Sequence, residues 1–480
     1  MEYDLVLTGG QLVDPVSGRR GGYDLGFANG KVAAVAPELD PAKAARRLDT
    51  AGAWVLPGVV DVHVHTSRRH GGQNAHRMIA RGGVCTMLDL AGPWDEFLGF
   101  ATTEGAGLNV ACIQQVRPGL TVADADPSPR ELQRLLDKTL AAGGLGFKLL
   151  GGHYPLTPEA SRRVLAVANE ARAYVAFHAG STATASDLDG VVEAIQLAKG
   201  LRVHLPHVNS YCTAKVLPRS HDEISQALEL LRQNRNIRSE SYLATINGTS
   251  AKCIDGQPES HATRLCLEQR GYPPTEEGLE AAIREGYGRI NEPQGGENVN
   301  ITGPAAVKSW RARGTVTSVN FPLNPPDSRF LAATARCDDG RFVVDALASD
   351  GGGHPRNVTV ERAMALVRFE ALTIEEVVHK TSTVPAALLG CPAKGHLGVG
   401  ADADVTGVDP VSGKPAFSLV AGRPVLWQGA LVGEGSTVLT TAAGVAALGD
   451  QGVPYEVIDP AAGALYGDRP AQPGLGGPGW

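Results

Sequence analysis

The stretch Val55-Leu56-Pro57-Gly58-Val59-Val60-Asp61-Val62-His63-Val64-His65-Thr66 constrains this chain more than any other. It is an apolar, β-branched run, entered through a Pro-Gly pair and ending in two histidines one residue apart. β-Branched residues favour a strand, and a strand sends alternate side chains to opposite faces. His63 and His65 therefore point the same way. Two imidazoles side by side at the C-terminal end of a buried strand can share one metal ion. The plain alternative is an incidental His-Val-His in a core strand, and the Pro-Gly-apolar-apolar-Asp-x-His-x-His context argues against it.

Downstream, strand-like apolar runs alternate with helical stretches, the rhythm of repeated βα units. They cover residues 83–89, 109–113, 146–150, 174–178, 202–208, 242–245 and 342–348. With the opening strand they make eight, the number a closed barrel needs. A chain of 480 residues accommodates such a barrel with a satellite domain. The expected fold is α/β, a (β/α)8 TIM-like barrel over residues 54–385. Barrel enzymes place their chemistry at the C-terminal ends of strands. The polar residues there are His63 and His65 on the first strand, Lys148 on the fourth, His178 on the fifth, His207 on the sixth and Asp350 just after the eighth. Each alone has a structural explanation, as a hydrogen-bonded core histidine, a rim lysine or a turn aspartate. Six matches in order point to one site. His204 competes with His207, but three positions apart on a strand they face opposite sides, and His207 is nearer the strand end.

The flanks read differently. Residues 3–53 are short strands with turn punctuation, including the hairpin pair Asn29-Gly30, and are too thin to bury a core alone. Residues 398–405, 424–427 and 430–432 supply further strands. Residues 1–53 and 386–440 are therefore expected to pair into one small β-sandwich built from both chain ends. Residues 246–328, rich in Gly, Asn and Pro, read as an insertion that starts on the active rim and covers the site. The Gly- and Ala-rich residues 441–480 are expected to be poorly ordered.

Net charge is -7 with no basic cluster, which disfavours nucleic acid and anionic membranes as partners. No segment offers the roughly 18 apolar residues of a spanning helix, and the N-terminus carries no signal-peptide pattern. The seven cysteines are odd in number and form no CxxC pair. Reduced thiols in the cytoplasm are expected rather than a disulfide framework or a thiolate zinc site. No phosphate-cradling glycine loop follows a strand, so no nucleotide cofactor is expected.

The opening strand, the strand-end histidines and the turn Gly398-Val399-Gly400-Ala401-Asp402-Ala403-Asp404 resemble the amidohydrolase superfamily, metal-dependent hydrolases on (β/α)8 barrels. Four histidines and an aspartate suit zinc. Lys148, in Gly146-Phe147-Lys148, matches the lysine that many members convert with carbon dioxide into a metal-bridging carbamate. That reaction needs a neutral amine, which burial beside cations favours. The resemblance then implies two divalent ions. His63, His65 and Asp350 would hold one, His178 and His207 the other, with carboxylated Lys148 between them. A hydroxide bridging the ions would be the nucleophile and Asp350 the proton shuttle.

Within the superfamily, the 29-position spacing from His178 to His207, Tyr242 and the insertion before Ser349-Asp350-Gly351 resemble the N-acyl-D-amino-acid deacylase branch. The lysine resembles instead the dihydroorotase and hydantoinase branch. There a tyrosine five residues after the lysine helps hold the oxyanion. Here His153 stands at that position and Tyr154 follows, so either is a candidate donor. His178 is followed by Ala179-Gly180-Ser181 rather than the His-x-x-Glu of deaminases. Arg68, Arg69, Tyr242, Asn247 and His354 are candidates for holding substrate, the arginines as forks for a carboxylate. The expected activity is hydrolysis of a carbon–nitrogen amide bond in a small molecule, an N-acyl amino acid or a cyclic amide. Alternatives are a mononuclear deaminase of a heterocyclic amine and a non-catalytic scaffold, the latter disfavoured by the full ligand set. The resemblance also implies a homo-oligomer.

Overall fold

A computed structural model describes residues 1–474 of the chain. At its centre are two arcs of strands. One runs in the order Gly351–Gly352, Val59–His65, Val84–Asp89, Ala106–Cys112, Gly435–Thr440 and Tyr455–Val457. The other runs Gln114–Val116, Gly146–Leu149, Tyr174–Phe177, Val203–Leu205, Ile237–Tyr242 and Ala346–Ala348. All pairings within both arcs are parallel. The chain crosses between them twice without leaving the strand layer, at Ile113 and at Ser349-Asp350.

Parallel strands covered on both faces read as unbroken apolar runs, and Val84–Asp89 is buried throughout for that reason. The covering helices start where the sequence caps them. Ser128 accepts from the Glu131 N–H and Thr157 from the Ala160 N–H, each followed by a proline in the first turn. Leu132 and Leu136, one helical turn apart, face the strands beneath.

Several expected boundaries move. The third strand starts at Ala106 and continues past Ile113 as Gln114–Val116. The sixth is only Val203–Leu205, and His207 lies beyond it. The seventh is Ile237–Tyr242, not residues 242–245. The eighth is Ala346–Ala348, shorter than residues 342–348.

Two sheets at one side share a core. One has four strands, Lys31–Ala36, Asp24–Ala28, Leu5–Thr8 and Arg47–Asp49. The other joins Gln11–Asp14 and Trp54–Pro57 to Val405–Val408, Pro415–Val420 and Arg423–Trp427. Leu7, Phe27, Val55, Val405 and Leu419 pack between them. Gly435–Thr440, expected in this sandwich, instead pairs with Ala106–Cys112.

Residues 246–328 are a folded unit rather than a loop. Asn247–Ser250, Ser318–Phe321, Arg289–Gln294 and Glu297–Ile301 form a sheet whose core is built around fully buried Trp310. The expectation of poor order after residue 440 also fails over residues 441–474. Tyr455–Val457 pairs with Gly435–Thr440, Leu465 is fully buried, and Arg469 reaches the Asp345 carboxylate. Glycine and alanine content misled because those residues pack against chain already folded. Residues 475–480 lie outside the described part.

Candidate active site

Asp61 Oδ1 accepts from the backbone N–H of His63 at 3.1 Å and of Ser349 at 3.2 Å, tying the first strand to the turn after the eighth. In that turn Asp350 has φ 51°, a left-handed conformation that costs a non-glycine residue about 1–2 kcal/mol. The turn holds it there: Gly351 N–H donates to Ser349 Oγ at 3.0 Å and Gly352 N–H to Asn357 Oδ1 at 2.8 Å. As a result Asp350 Oδ1 lies 3.2 Å from His63 Nε2 and 3.1 Å from His65 Nε2. Single ligand atoms of these three residues all fall within 4.8 Å of one another.

His207 is likewise left-handed, with φ 39°, and begins a short turn after the sixth strand. Its ring centroid is 4.5 Å from that of His178 and 5.1 Å from that of His63. Each of the two outer imidazoles anchors one nitrogen on a serine, His207 Nδ1 on Ser210 Oγ at 2.8 Å and His178 Nε2 on Ser186 Oγ at 3.0 Å. The other nitrogen of each ring remains for a ligand. Lys148 Nζ is buried with no hydrogen-bond partner. His204, by contrast, shares a 2.9 Å hydrogen bond with the Tyr174 hydroxyl and does not line the cavity.

Burial governs the protonation of this cluster. It pushes His63, His178 and His207 well below the usual histidine range, so they are neutral donors of a lone pair. Burial also lowers the Lys148 amine to about 7, only partly opposed by Asp350 and Glu240. For Asp350 burial works against ionisation, but Arg356, His63 and His65 outweigh it and hold the carboxyl well below the usual range. The set is thus a carboxylate, four imidazoles, of which His63, His178 and His207 are held neutral by burial, and an amine able to lose its proton. These are the donors a divalent ion takes.

The histidines, Lys148 and Asp350 open on one cavity of about 430 Å³. Among the expected residues, Arg69, His153, Tyr154, Asn247 and His354 line it. Burial brings His153 to about 4, so its imidazole is neutral. Arg68 does not reach the cavity; its backbone N–H is held by Glu96 at 2.9 Å and its side chain lies over Phe100. Tyr242 is also outside, since its hydroxyl bonds to Asn247 and accepts from Asn324 at 2.9 Å. That correction follows from the shift of the seventh strand, which ends rather than starts at Tyr242.

Sequence reasoning missed two groups. Glu240, in the middle of the seventh strand, places Oε1 2.6 Å from His63 Nδ1 and accepts from the His207 N–H at 2.8 Å. Arg356 lines the cavity, sits 2.8 Å from Asp350 Oδ1 and donates to the Ile246 carbonyl at 3.1 Å. The signal for Glu240 was an acid inside a strand leading into the rim, and for Arg356 a lone cation six residues after the aspartate.

No family model matches the chain. Among curated proteins it is 25% identical over 439 residues to a dihydroorotase of Pelotomaculum thermopropionicum, spanning 86% of this chain and 90% of that one. It is also 25% identical over 458 residues to the N-acyl-D-glutamate deacylase of Alcaligenes xylosoxydans xylosoxydans, spanning 85% and 87%. Among solved structures, N-acyl-D-glutamate deacylase from Bordetella bronchiseptica, complexed with zinc and a phosphonate inhibitor, superimposes with a TM-score of 0.66 at 19% identity, covering 91% of this chain and 99% of that one. The chain is thus similar in sequence, over most of its length, to dihydroorotases and N-acyl-D-glutamate deacylases, and it shares the fold of the latter.

Proposed function

We propose that this protein is a metal-dependent hydrolase of a carbon–nitrogen amide bond in a small, carboxylate-bearing substrate, either an N-acyl amino acid or a cyclic amide. The observation that carries this is the convergence of His63 Nε2, His65 Nε2 and Asp350 Oδ1 beside His178, His207 and an unpartnered, buried Lys148. With Gln114–Val116 and Gly351–Gly352 taken as continuations of Ala106–Cys112 and Ala346–Ala348, and Gly435–Thr440 and Tyr455–Val457 as additions outside it, the two arcs read as one eight-stranded barrel with the cavity at the C-terminal ends of its strands.

Two divalent ions, zinc by donor chemistry, would be held by His63, His65 and Asp350 and by His178 and His207. Lys148, with its amine brought to about 7, is suited to carboxylation and would bridge them. When bound, such ions polarise a carbonyl and acidify water. The protein's own groups do the rest. Asp350, kept ionised, accepts the proton of the attacking water and passes it to the leaving nitrogen. His153 and Tyr154 face the same space and can donate to the developing oxyanion. Arg356, a buried guanidinium on the cavity wall, holds the substrate carboxylate. Glu240 fixes the orientation of His63 and of the His207 turn.

Seven free cysteines support a reducing compartment, the cytoplasm. Neither named relative is a deaminase, which leaves that alternative without support. The test is an assay of amine release and ring opening on N-acyl amino acids and on hydantoin- and dihydropyrimidine-type amides. Turnover that chelation abolishes and zinc restores is expected. Release of ammonia from heterocyclic amines, with no amide cleaved, would overturn the proposal.

A further inference from the structure

The loop after the first strand and the turn after the eighth press together with no side chain between them. Gly353 N–H donates to the His65 carbonyl at 2.9 Å, and a Cβ on Gly353 would lie 2.1 Å from the His70 carbonyl oxygen. Glycine permits that approach but brings no side chain to fasten it. The ladder joining the two segments is short, Gly351–Gly352 against Val64 and His65. Further fastening comes from the inserted unit, residues 246–328. Its strands Arg289–Gln294 and Glu297–Ile301 pair with Asn291 opposite Asn300 and Pro293 opposite Asn298. That register puts Asn291 and Asn298 on one face of the hairpin, and both are buried.

Asn298 Nδ2 donates to the carbonyls of Gly71 at 2.9 Å and Gly353 at 2.8 Å. Asn291 Nδ2 donates to the same Gly353 carbonyl at 3.0 Å and to that of His70 at 3.3 Å. Each carboxamide thus bridges the loop that follows His65 and the turn that follows Asp350. Carbonyl oxygens only accept, so the amide nitrogens must face them. Asn74 Nδ2 fixes that orientation for Asn298 by donating to its Oδ1 at 2.8 Å. Asn291 Oδ1 is buried with no hydrogen-bond partner, a cost that an apolar residue filling the same space would avoid. The amides are there for their donors. Neither asparagine lines the cavity.

We propose that Asn291 and Asn298 are positioning residues for the ion that His63, His65 and Asp350 would hold. They act through the backbone: with the two segments fastened, Asp350 Oδ1 stays 3.1 Å from His65 Nε2. This rests on the metal reading above, and gives the inserted unit a part in that centre without contact to substrate or ion. Among the described residues neither asparagine bonds to the segments carrying His178 and His207, so the two ions should respond differently.

Zinc affinity, measured by competition with a chromophoric chelator, tests this on variants that keep one ion site intact. In a His178→Ala background, adding Asn298→Leu is expected to weaken zinc about tenfold. In an Asp350→Asn background the same substitution should leave the affinity unchanged. Asn291→Ser, which loses the other donor with less change in packing, should act in the same direction. Melting temperatures check that each variant folds. Hydrogen exchange of the metal-free protein supplies a readout that needs no ion. The Gly353 amide should exchange faster in Asn298→Leu and in Asn291→Ser, and the amides of Tyr174–Phe177 should not. Equal losses of affinity in both backgrounds, or no loss in either, would overturn the proposal. Unchanged Gly353 exchange would remove the fastening and leave the metal reading standing. A protein that binds no zinc in any form would remove the metal reading and this proposal with it.

Discussion

Glu240 Oε1 lies 2.6 Å from His63 Nδ1 and accepts from the backbone N–H of His207 at 2.8 Å. One buried carboxyl thereby orients a histidine on the first strand and the turn after the sixth. Burial raises the Glu240 carboxyl well above its usual range and lowers His63, so the isolated pair is neutral and shares one proton. Replacing Glu240 with Leu roughly keeps the volume and removes the acceptor that fixes the imidazole. Zinc affinity should fall roughly 10–100-fold, the usual cost of losing such a partner. Competition with a chromophoric chelator measures it, and an unchanged affinity would show that Glu240 is only a core residue.

Arg356 predicts a split between kinetic constants. Its guanidinium makes a charge-assisted contact worth about 1.5–3 kcal/mol, or roughly 10–100-fold. Arg356→Met should raise KM for carboxylate-bearing substrates by that factor, and Arg356→Lys should recover part of it. Steady-state kinetics on an N-acyl amino acid and on the corresponding N-acyl amine separate the effects. The amine should be insensitive to the substitution in KM; equal losses on both substrates would assign Arg356 to holding Asp350 alone.

Acid sensitivity should trace in part to His76. It lies on the helix Gly72–Arg81, fully buried, with no hydrogen-bond partner on either ring nitrogen. Burial lowers it to about 4 from an ordinary value of 6.5. Below pH 6.5 the unfolded chain binds the proton and the folded chain does not, so stability present above that pH is lost as pH falls towards 4. Between pH 7 and 5 this one group should cost about 2 kcal/mol. Urea unfolding of chelator-treated protein should show His76→Leu losing less than the unaltered chain by that amount. Parallel losses in the two proteins would contradict it.

Arg469 should act as a fastener of the C-terminal segment. Besides Asp345 it donates to the carbonyls of Arg235 at 2.8 Å and Ile237 at 2.7 Å, bridging the seventh and eighth strands from below. Arg469→Ala strips a buried carboxylate of its cation and should lower unfolding stability by about 3 kcal/mol. A urea midpoint within error of the unaltered protein would mean that the contact is incidental.

How far the sequence carried the structure depended on chemistry as much as pattern. His63, His65, Lys148, His178, His207 and Asp350 stand out because each is a polar group ending an apolar run, and the structure brings all six to one cavity. Glu240 was hidden because Arg238-Ser239-Glu240-Ser241 is a polar run inside a fully buried strand, which no hydrophobic period marks. The same run moved the expected seventh strand late and put Tyr242 in the wrong place. Arg356 was hidden because its role exists only once the turn at Asp350 folds back. Residues 441–474 were misjudged from glycine and alanine content, although Tyr455–Val457 pairs as a strand and Leu465 is buried. Composition describes what a segment can do alone, and these segments are ordered by what they dock against.

The most direct test is the metal content of gently purified protein by elemental mass spectrometry, read with the intact mass of the chain. Two divalent ions per chain, and a mass increased by one carbon dioxide that disappears in Lys148→Ala, are predicted. A protein that takes up no metal even after reconstitution, or that cleaves amides equally well without any, would contradict the account at its centre.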